Sequence, residues 1–304
     1  MEMKKFLQRL LIIIVITFVA DRALSYVVNI FYKTTTTTNE HKLIAVTYKM
    51  TDPVVFMGSS RAHHHYVPSI ISDTLKKGVY NAGLWGMRNI YFQYGLLSNI
   101  LERYTPETIC LEIHPTDYLE TPFSTTEAVG PLTPFIGYSP GCDTVLKQAG
   151  FYYKGEVSHL YRYNGEFANL LAGNLSTRTL DADKGYKALY GKLDTAIVAI
   201  KPEKFPFPVS KDKLKYLQAF IDKCKEKKIQ LILIYSPMYA VEKTNLFQVP
   251  DSIAKKNNIP FINNYQQAGI TGDSHNFFDF GHLNDEGAKK YSALIASELK
   301  QYIK

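Results

Sequence analysis

Cysteine is scarce in this chain, and so are long runs of like charge. The 304 residues include three cysteines, Cys110, Cys142 and Cys224, which lie far apart. This spacing excludes a disulfide framework and the paired cysteines of a zinc knuckle, and Cys110 and Cys224 fall in segments typical of a core. The net charge of +7 is spread along the chain, without zinc-finger spacing, an RNP-like aromatic motif or a basic block. We therefore expect no nucleic-acid partner.

The N-terminus has the pattern of a membrane-targeting segment. Basic residues within the first nine positions precede an apolar run over 10–20, and Asp21 and Arg22 separate it from a second apolar run over 23–32. Each run is shorter than the roughly 20 apolar residues of a full span, but together they suffice if the charged pair reaches an interface. We expect an uncleaved signal-anchor over 1–33 with a cytoplasmic N-terminus. The alternative is a buried N-terminal helix of a soluble protein.

Beyond this segment, short apolar runs alternate with longer amphipathic ones, as in a parallel sheet with crossover helices. Threonines fill positions 34–38, so 34–49 is predicted as a linker and 50–304 as one catalytic domain. Strands are predicted over 54–57, 78–81, 108–113, 230–235 and 260–262. Helices are predicted over 62–76, 89–103, 211–228, 250–257 and 285–302. The expected fold is α/β, with three α/β/α layers around a flavodoxin-like sheet of about five parallel strands.

Residues 119–210 interrupt this alternation and are predicted as a large insertion. The segment is rich in Tyr, Gly, Pro and Thr, with weak helical periodicity around 156–172 and 184–200. An insertion of this length between two strands should lie above the carboxyl ends of the sheet, where open α/β folds bind their ligands. We expect it to act as a lid or as a substrate-recognition region.

The first predicted strand ends in Gly58-Ser59-Ser60, and a helix-like segment follows. Glycine permits a sharp turn at this point, and the first amides of the helix are available to a developing oxyanion. Such a turn can expose a serine hydroxyl as a nucleophile. The same residues are also common as an ordinary turn with a helix cap, so the turn alone leaves both interpretations open.

A second polar group, Asp279 and His282, precedes the last predicted helix. An Asp three residues before a His can accept the proton of one ring nitrogen, which leaves the other nitrogen available as a base. The alternative is an ordinary capping loop in which Asn284 or Asp285 caps the helix. Because the serine turn follows the first strand and this loop follows the last, both fall at carboxyl ends of strands, where one site can collect them.

These blocks resemble the SGNH/GDSL hydrolase family, and within it the envelope acyl-transfer branch of DltD-like and alginate-acetylation proteins. The similarity covers roughly 50–118 and 229–304. The Gly-Ser-Ser turn matches the family's Gly-Asp-Ser block with Ser in place of Asp, and the Asp-x-x-His loop matches its last block. The resemblance implies that Ser60 is the nucleophile and that Asp279 and His282 complete a catalytic triad.

The family's middle blocks supply the oxyanion hole. The Asn-x-Gly-x-x-Gly block matches residues 81–86, so the resemblance implies that Gly83 offers an amide hydrogen beside that of Ser60. The next block departs from the family, because no Asn follows the third strand. Either Thr116 or His114 replaces that donor, or the hole has two donors, and a lost donor costs about 2.7–4 kcal/mol of barrier lowering in hydrolases. Transfer between specific partners fits this departure at least as well as broad hydrolysis.

Other polar residues close to the serine have less defined roles. His63, His64 and His65 occupy adjacent helix positions. Their side chains should point about 100° apart, so they cannot bind one metal together and no metal site is predicted. Arg61 should orient a polar acceptor or pair with a nearby carboxylate, and together with Asn81 it is a candidate for substrate binding.

The resemblance implies a membrane-tethered serine esterase or O-acyltransferase of the bacterial cell envelope, with its catalytic domain in the periplasm and no cofactor. The expected substrate is an acylated envelope glycan or a related ester, and an integral-membrane acyl donor is a candidate partner. One alternative is a non-catalytic envelope protein that binds glycan or a partner on the same scaffold. Another is a metal-dependent hydrolase that uses the histidine run.

Overall fold

A parallel sheet with helices on both faces forms the body of the protein. The computed structural model describes residues 2–36, 39–121, 125–164, 166–175, 183–195, 208–239 and 246–303. The strands are β1 Val54–Met57, β2 Val79–Asn81, β3 Thr108–Glu112, β4 Gln230–Tyr235 and β5 Phe261–Asn263. They lie in the order β2-β1-β3-β4-β5, and all pairings are parallel. The predicted α/β fold is confirmed, and each predicted strand lies within one residue of its observed bounds.

The helices of the described residues are α1 Glu2–Thr34, α2 Asn39–Ile44, α3 Ser60–His65, α4 Pro68–Leu75, α5 Ile90–Leu101, α6 Thr125–Val129, α7 Pro140–Gln148, α8 Tyr152–Val157, α9 Phe167–Leu175, α10 Lys211–Glu226, α11 Gln248–Asn257 and α12 Asp285–Leu299. Of these, α5 and α10 lie against one face of the sheet, and α4 and α12 lie against the other. Successive strand residues enter opposite cores because their side chains alternate between faces. Val55 and Met57 pack with α5 and α10, whereas Val54 and Phe56 pack with α4 and α12. The expected three layers are the result.

The helix predicted over 62–76 is two helices, α3 and α4. Tyr66 and Val67 between them have extended backbones. Pro68 explains the break, because proline lacks an N–H and disfavours helical geometry in the residue before it. The short helix α3 therefore carries the serine and the histidine run as a unit of its own.

The prediction of a linker over 34–49 is wrong for residues 39–49. Helix α2 and a π-helical turn at Ala45–Lys49 occupy this range, and Leu43 and Ile44 are buried in the core that contains α5. The threonine run suggests a polar spacer, but burial of the apolar side chains that follow it stabilises a packed helix instead. Residues 37–38 of the threonine run lie outside the described part of the chain.

The insertion differs in detail from its predicted helices. Around 156–172 the structure has α8, a 3₁₀ turn at Leu160–Tyr163 and α9 instead of one helix. Residues 183–195 contain turns and extended chain but no helix, and 196–200 lie outside the described residues. The weak helical periodicity of the sequence did not reveal these breaks, because the chain changes direction between short helical segments.

Helix α1 runs without interruption through the charged pair of the N-terminal segment. One 18-residue window has a mean hydropathy of 2.1, so this helix is long and apolar enough to cross a membrane. Beyond its exposed first part, α1 is bonded to the insertion. Asp21 accepts a hydrogen bond from the N–H of His159 at 2.8 Å, and Arg22 donates to the carbonyl oxygen of Glu156 at 3.0 Å. These features are compatible with a membrane anchor or a signal sequence.

Candidate active site

The serine turn lies at the carboxyl end of β1, as predicted. Gly58 has a φ of +146°, and a Cβ added there would lie 2.8 Å from the Cβ of Ala62 and 2.9 Å from that of Glu112. Only glycine therefore allows the chain to turn here without displacing its neighbours. Ser60 begins α3, so its N–H belongs to the first turn, whose amides have no acceptor within the helix.

Ser60, His282 and Asp279 lie in mutual hydrogen-bond contact. The Oγ of Ser60 is 2.8 Å from Nε2 of His282. The Nδ1 of the same ring is 2.9 Å from both carboxylate oxygens of Asp279. The parallel sheet places both loops at one edge, and so brings together residues 222 positions apart in the chain. Nucleophile, base and orienting carboxylate have this relationship in serine hydrolases.

The loop itself holds Asp279 in its ionised form. Its Oδ1 accepts the backbone N–H groups of Gly281 and His282, each at 2.8 Å. Partial burial acts to raise the pKa of Asp279, but the hydrogen bonds from the His282 ring and from these amides outweigh it and lower the pKa below its usual value. An ionised carboxylate keeps the ring proton on Nδ1, so Nε2 faces Ser60 with its lone pair.

His65 supports this loop from below. Its Nε2 accepts the backbone N–H of Leu283 at 3.0 Å, and its Nδ1 lies 2.7 Å from the hydroxyl of Ser236. Burial, reinforced by the positive charge of Arg61 and by His282, holds the pKa of His65 well below its usual value. The ring is therefore neutral, with the proton on Nδ1 donated to Ser236. The histidine run placed His65 close to the serine, but nothing in the sequence indicated its hydrogen bond with Leu283.

Arg61 is buried and does not reach the substrate side of the site, which corrects its prediction as a substrate-binding residue. Its Nε lies 3.2 Å from the carboxylate of Glu112, and its guanidinium covers the ring of Tyr235 at 4.2 Å. Glu112 also accepts the hydroxyl of Tyr66 and, at 2.7 Å, that of Ser236. Of the two predicted roles, pairing with a carboxylate is the observed one. The position of Glu112 in the apolar third strand was a signal for this pair, because a buried carboxylate requires a partner such as Arg61.

Asn81 is also structural, contrary to its prediction as a substrate contact. Its side chain is fully buried and donates to the carbonyl oxygens of Ala62 at 2.7 Å and Tyr66 at 2.8 Å. Its Oδ1 accepts the N–H of Gly83 at 3.0 Å. That amide is therefore occupied and does not have the free N–H predicted for the oxyanion hole. Glycine is required at this position because a Cβ would lie 2.5 Å from the backbone nitrogen of His63.

His114 and Thr116, the predicted replacements for the missing Asn, interact with each other. The N–H of Thr116 donates to Nδ1 of His114 at 3.3 Å, and the Thr116 hydroxyl lies 3.0 Å from the same nitrogen. Burial, with the charges of Arg61 and His282, lowers the pKa of His114 to about 3. A neutral ring that accepts at Nδ1 carries its proton on Nε2.

The other two histidines of the run point to different parts of the structure. The Nδ1 of His63 lies 2.7 Å from the ammonium group of Lys42 in α2, and burial, together with the charge of Lys42, lowers the pKa of His63. The Nδ1 of His64 lies 2.6 Å from the carbonyl oxygen of Lys187, and burial lowers its pKa to about 4. Each ring is therefore neutral at pH 7 and is held by its own partner.

The indole of Trp85 borders the site, and sequence reasoning assigned it no role. Its ring centre lies 6.1 Å from that of His282, with the planes inclined by 22°. The ring of His64 meets it edge-on at 5.1 Å. Trp85 is 47% exposed. Its position two residues after Gly83, in a block already placed at the site, was the available signal.

No family model matches the chain, and no curated protein matches it. Solved structures do match. A GDSL-like lipase from Bacteroides thetaiotaomicron is 15% identical, with a TM-score of 0.40 over 86% of this chain and 97% of its own. A lipase/acylhydrolase from Enterococcus faecalis is 14% identical, with a TM-score of 0.38 over 83% and 96%. A protein from Desulfitobacterium hafniense assigned to the G-D-S-L lipolytic family is 13% identical, with a TM-score of 0.42 over 80% and 97%.

Proposed function

We propose that the chain is a membrane-tethered serine esterase or O-acyltransferase. The observation that carries this proposal is the 2.8 Å contact between Ser60 Oγ and His282 Nε2, with Asp279 on the opposite ring nitrogen. A hydroxyl held against the lone pair of an imidazole is activated as a nucleophile when the ring can take its proton. The ionised carboxylate then stabilises the imidazolium that forms.

The reaction follows from this geometry in two steps. Ser60 Oγ attacks the carbonyl carbon of an ester while its proton passes to Nε2 of His282. The tetrahedral intermediate breaks its bond to the leaving oxygen, which takes that proton from His282, and an acyl-enzyme remains. A water or a sugar hydroxyl then gives its proton to His282, attacks the acyl-enzyme, and Ser60 recovers the proton as the product leaves.

The oxyanion needs at least two donors in this scheme. The N–H of Ser60 is one, because it lies in the first turn of α3 and has no helical acceptor. We propose the ring of His114 as the other, since it follows β3, the strand next to β1, and burial keeps it neutral. The amide of Gly83 could join them only if Asn81 released it.

The proposed substrate is an acylated envelope glycan or a related ester. This choice follows the resemblance of the motif blocks to envelope acyl-transfer proteins, together with the apolar helix α1. With α1 as an uncleaved anchor and basic residues in its first turns, the catalytic domain lies in the bacterial periplasm. An integral-membrane acyl donor is the partner that such a tether suits.

Covalent labelling tests the nucleophile. The wild-type chain should react with a fluorophosphonate probe, and Ser60→Ala should lose the label while it remains folded. Ser59→Ala is the matched control, because this neighbouring hydroxyl makes no capping hydrogen bond. Labelling that persists in Ser60→Ala, or is lost in Ser59→Ala alone, would contradict the proposal. Mass spectrometry of Ser60 after incubation with candidate acyl donors would then identify the acyl group.

A non-catalytic glycan-binding or partner-binding protein on the same scaffold is the second candidate. The engaged amide of Gly83 favours it, because the oxyanion hole then lacks a donor that the family uses. Release of acetate from acetylated glycan, measured with membranes that contain any required partner, separates the two functions. An active protein excludes the second candidate, and an unlabelled, inactive protein that still binds glycan supports it.

A further inference from the structure

Trp85 is the only tryptophan of the chain, and it is exposed at the proposed active site. Its indole lies almost parallel to the ring of His282, and it belongs to neither of the two apolar cores in the described part of the chain. A large aromatic side chain left half in water does little for the stability of the fold. At interfaces, such residues supply much of the binding energy.

The loop that carries Trp85 is fixed on both sides. Leu84 is buried, and its N–H donates to the carbonyl oxygen of Gly58 at 3.1 Å. Arg88 donates to the carbonyl oxygen of Glu127 at 2.9 Å and so ties the far end of the loop to the insertion. The indole itself rests against the edge of His64. A side chain held in this way loses little freedom when a ligand covers it, so its contact area contributes efficiently to affinity.

The surroundings of the indole select the kind of ligand. The rings of His64 and His282, which contact the indole, are imidazoles and place polar nitrogens around the aromatic surface. A pyranose ring matches this arrangement, because it has an apolar face of C–H groups and a rim of hydroxyls. Beneath a hydrocarbon chain, Nε2 of His64, which has no hydrogen-bond partner in the described part of the chain, would stay unpaired.

We propose that Trp85 is a stacking platform for a pyranose ring of the substrate and so sets the substrate class of the site as carbohydrate. The inference rests on the proposed function, since it assumes that the sugar carries the ester or accepts the acyl group beside Ser60. The ring centre of Trp85 lies 6.1 Å from that of His282, the base that serves both half-reactions, so a sugar on the indole can extend toward that base. The platform thus holds the sugar hydroxyl or its ester close to the reacting atoms.

The single tryptophan makes binding directly observable. Full-length Ser60→Ala in detergent micelles is titrated with cellotetraose and with chitotetraose, and tryptophan emission is recorded. We expect a saturable blue shift with at least one of the oligosaccharides, because a sugar that covers Trp85 removes water from it. Sodium octanoate is the apolar comparison. A shift with octanoate alone, or no shift with either sugar, would overturn the proposal.

Substitution of the indole tests the same contact by calorimetry and kinetics. Trp85→Ala should weaken oligosaccharide binding about tenfold and raise the KM for an acetylated glycan by a similar factor with little change in kcat, while Trp85→Phe should lose less. Tyr153→Ala removes another exposed aromatic, on α8 beside the anchor, and should change neither quantity. Equal sugar binding by Trp85→Ala and the wild type would refute the platform.

The outcome remains distinguishable from a failure of the proposed enzyme. Fluorophosphonate labelling of Ser60 needs no sugar, so labelling of the wild-type chain reports the nucleophile independently of oligosaccharide binding. A labelled wild-type chain that binds no oligosaccharide refutes the platform and keeps the esterase. An unlabelled chain whose emission still shifts with oligosaccharide refutes the esterase and keeps the carbohydrate site.

Discussion

The backbone N–H of Leu283 donates to Nε2 of His65 over 3.0 Å. Leu283 follows His282 directly, so this bond ties the loop of the proposed base to the end of the helix that begins with Ser60. On its other side, His65 contacts Ser236, which in turn donates to Glu112. Ser60 and His282 thereby share one buried polar support.

Replacement of His65 should slow the reaction without changing substrate affinity. His65→Phe keeps the size of the ring but leaves the N–H of Leu283 unpaired, which costs about 1–3 kcal/mol for a buried group. We expect the rate of fluorophosphonate labelling to fall at least tenfold. His65→Gln, whose side chain retains an acceptor, should recover part of that rate. Equal labelling of His65→Phe and the wild type, with thermal unfolding as the check on folding, would show that the loop holds without this bond.

Removal of one partner from the buried ion pair between Arg61 and Glu112 should lower the stability of the fold. Arg61→Met strands a buried carboxylate and should lower the free energy of unfolding by about 3–5 kcal/mol. The double variant Arg61→Met/Glu112→Gln removes both charges and should recover most of this loss. Lys255→Met, which removes an exposed pair with Asp251, is the control and should cost about 0.5 kcal/mol or less. A double variant no more stable than Arg61→Met would contradict the argument.

Asp117 should make stability depend on pH. Burial raises its pKa from 3.8 to about 7, against the opposing hydrogen bond from the N–H of His114. Between these two values the folded state keeps a proton that the unfolded state has lost, so the contribution of Asp117 to the free energy of unfolding falls as pH rises. Asp117→Asn retains the acceptor for His114 and should remove this component. Denaturation midpoints at pH 4.5 and pH 7.5 measure it, and an identical pH dependence in both proteins would contradict the assignment.

Asp21 should stabilise the contact between α1 and the insertion. Besides the N–H of His159, it accepts the hydroxyl of Ser158 at 2.5 Å and the N–H of Leu160 at 3.3 Å, and so caps the 3₁₀ turn that follows α8. Asp21→Ala should cost about 0.5–2 kcal/mol, the usual effect of a lost cap, and Asp21→Asn should cost less. Thermal unfolding of the full chain in detergent is the measurement. If both variants unfold like the wild type, the capping contact contributes nothing.

The sheet could be predicted closely because short apolar, β-branched runs that alternate with longer amphipathic runs are typical of strands in a parallel sheet. The contact of Ser60 with His282 and Asp279 could be predicted because two motif blocks fall at strand ends, where topology brings them together. The buried roles of Arg61 and Asn81 could not be predicted in the same way. Their side chains turn inward to satisfy Glu112 and the carbonyl oxygens of Ala62 and Tyr66, and those partners are set by packing rather than by sequence position.

The position of α2 illustrates the same limit. A run of threonines predicts a spacer, yet Lys42 from the following helix is buried and donates to the carbonyl oxygens of Gly83 and, at 2.6 Å, Gly185. An ammonium group rarely enters an interior, so no composition rule would place it there. The two carbonyl oxygens and the ring nitrogen of His63 satisfy the buried ammonium group. These three partners come together only in the folded chain.

The attachment of α1 to the insertion limits where the site can operate. Asp21 is bonded to the turn after α8, and Asn29 accepts the hydroxyl of Tyr163 at 3.0 Å. Helix α1 is therefore held against the insertion at two points. If α1 spans a bilayer, as proposed, these contacts keep the proposed active site at a fixed distance from the lipid. In that arrangement, only substrate within this distance of the membrane can reach Ser60.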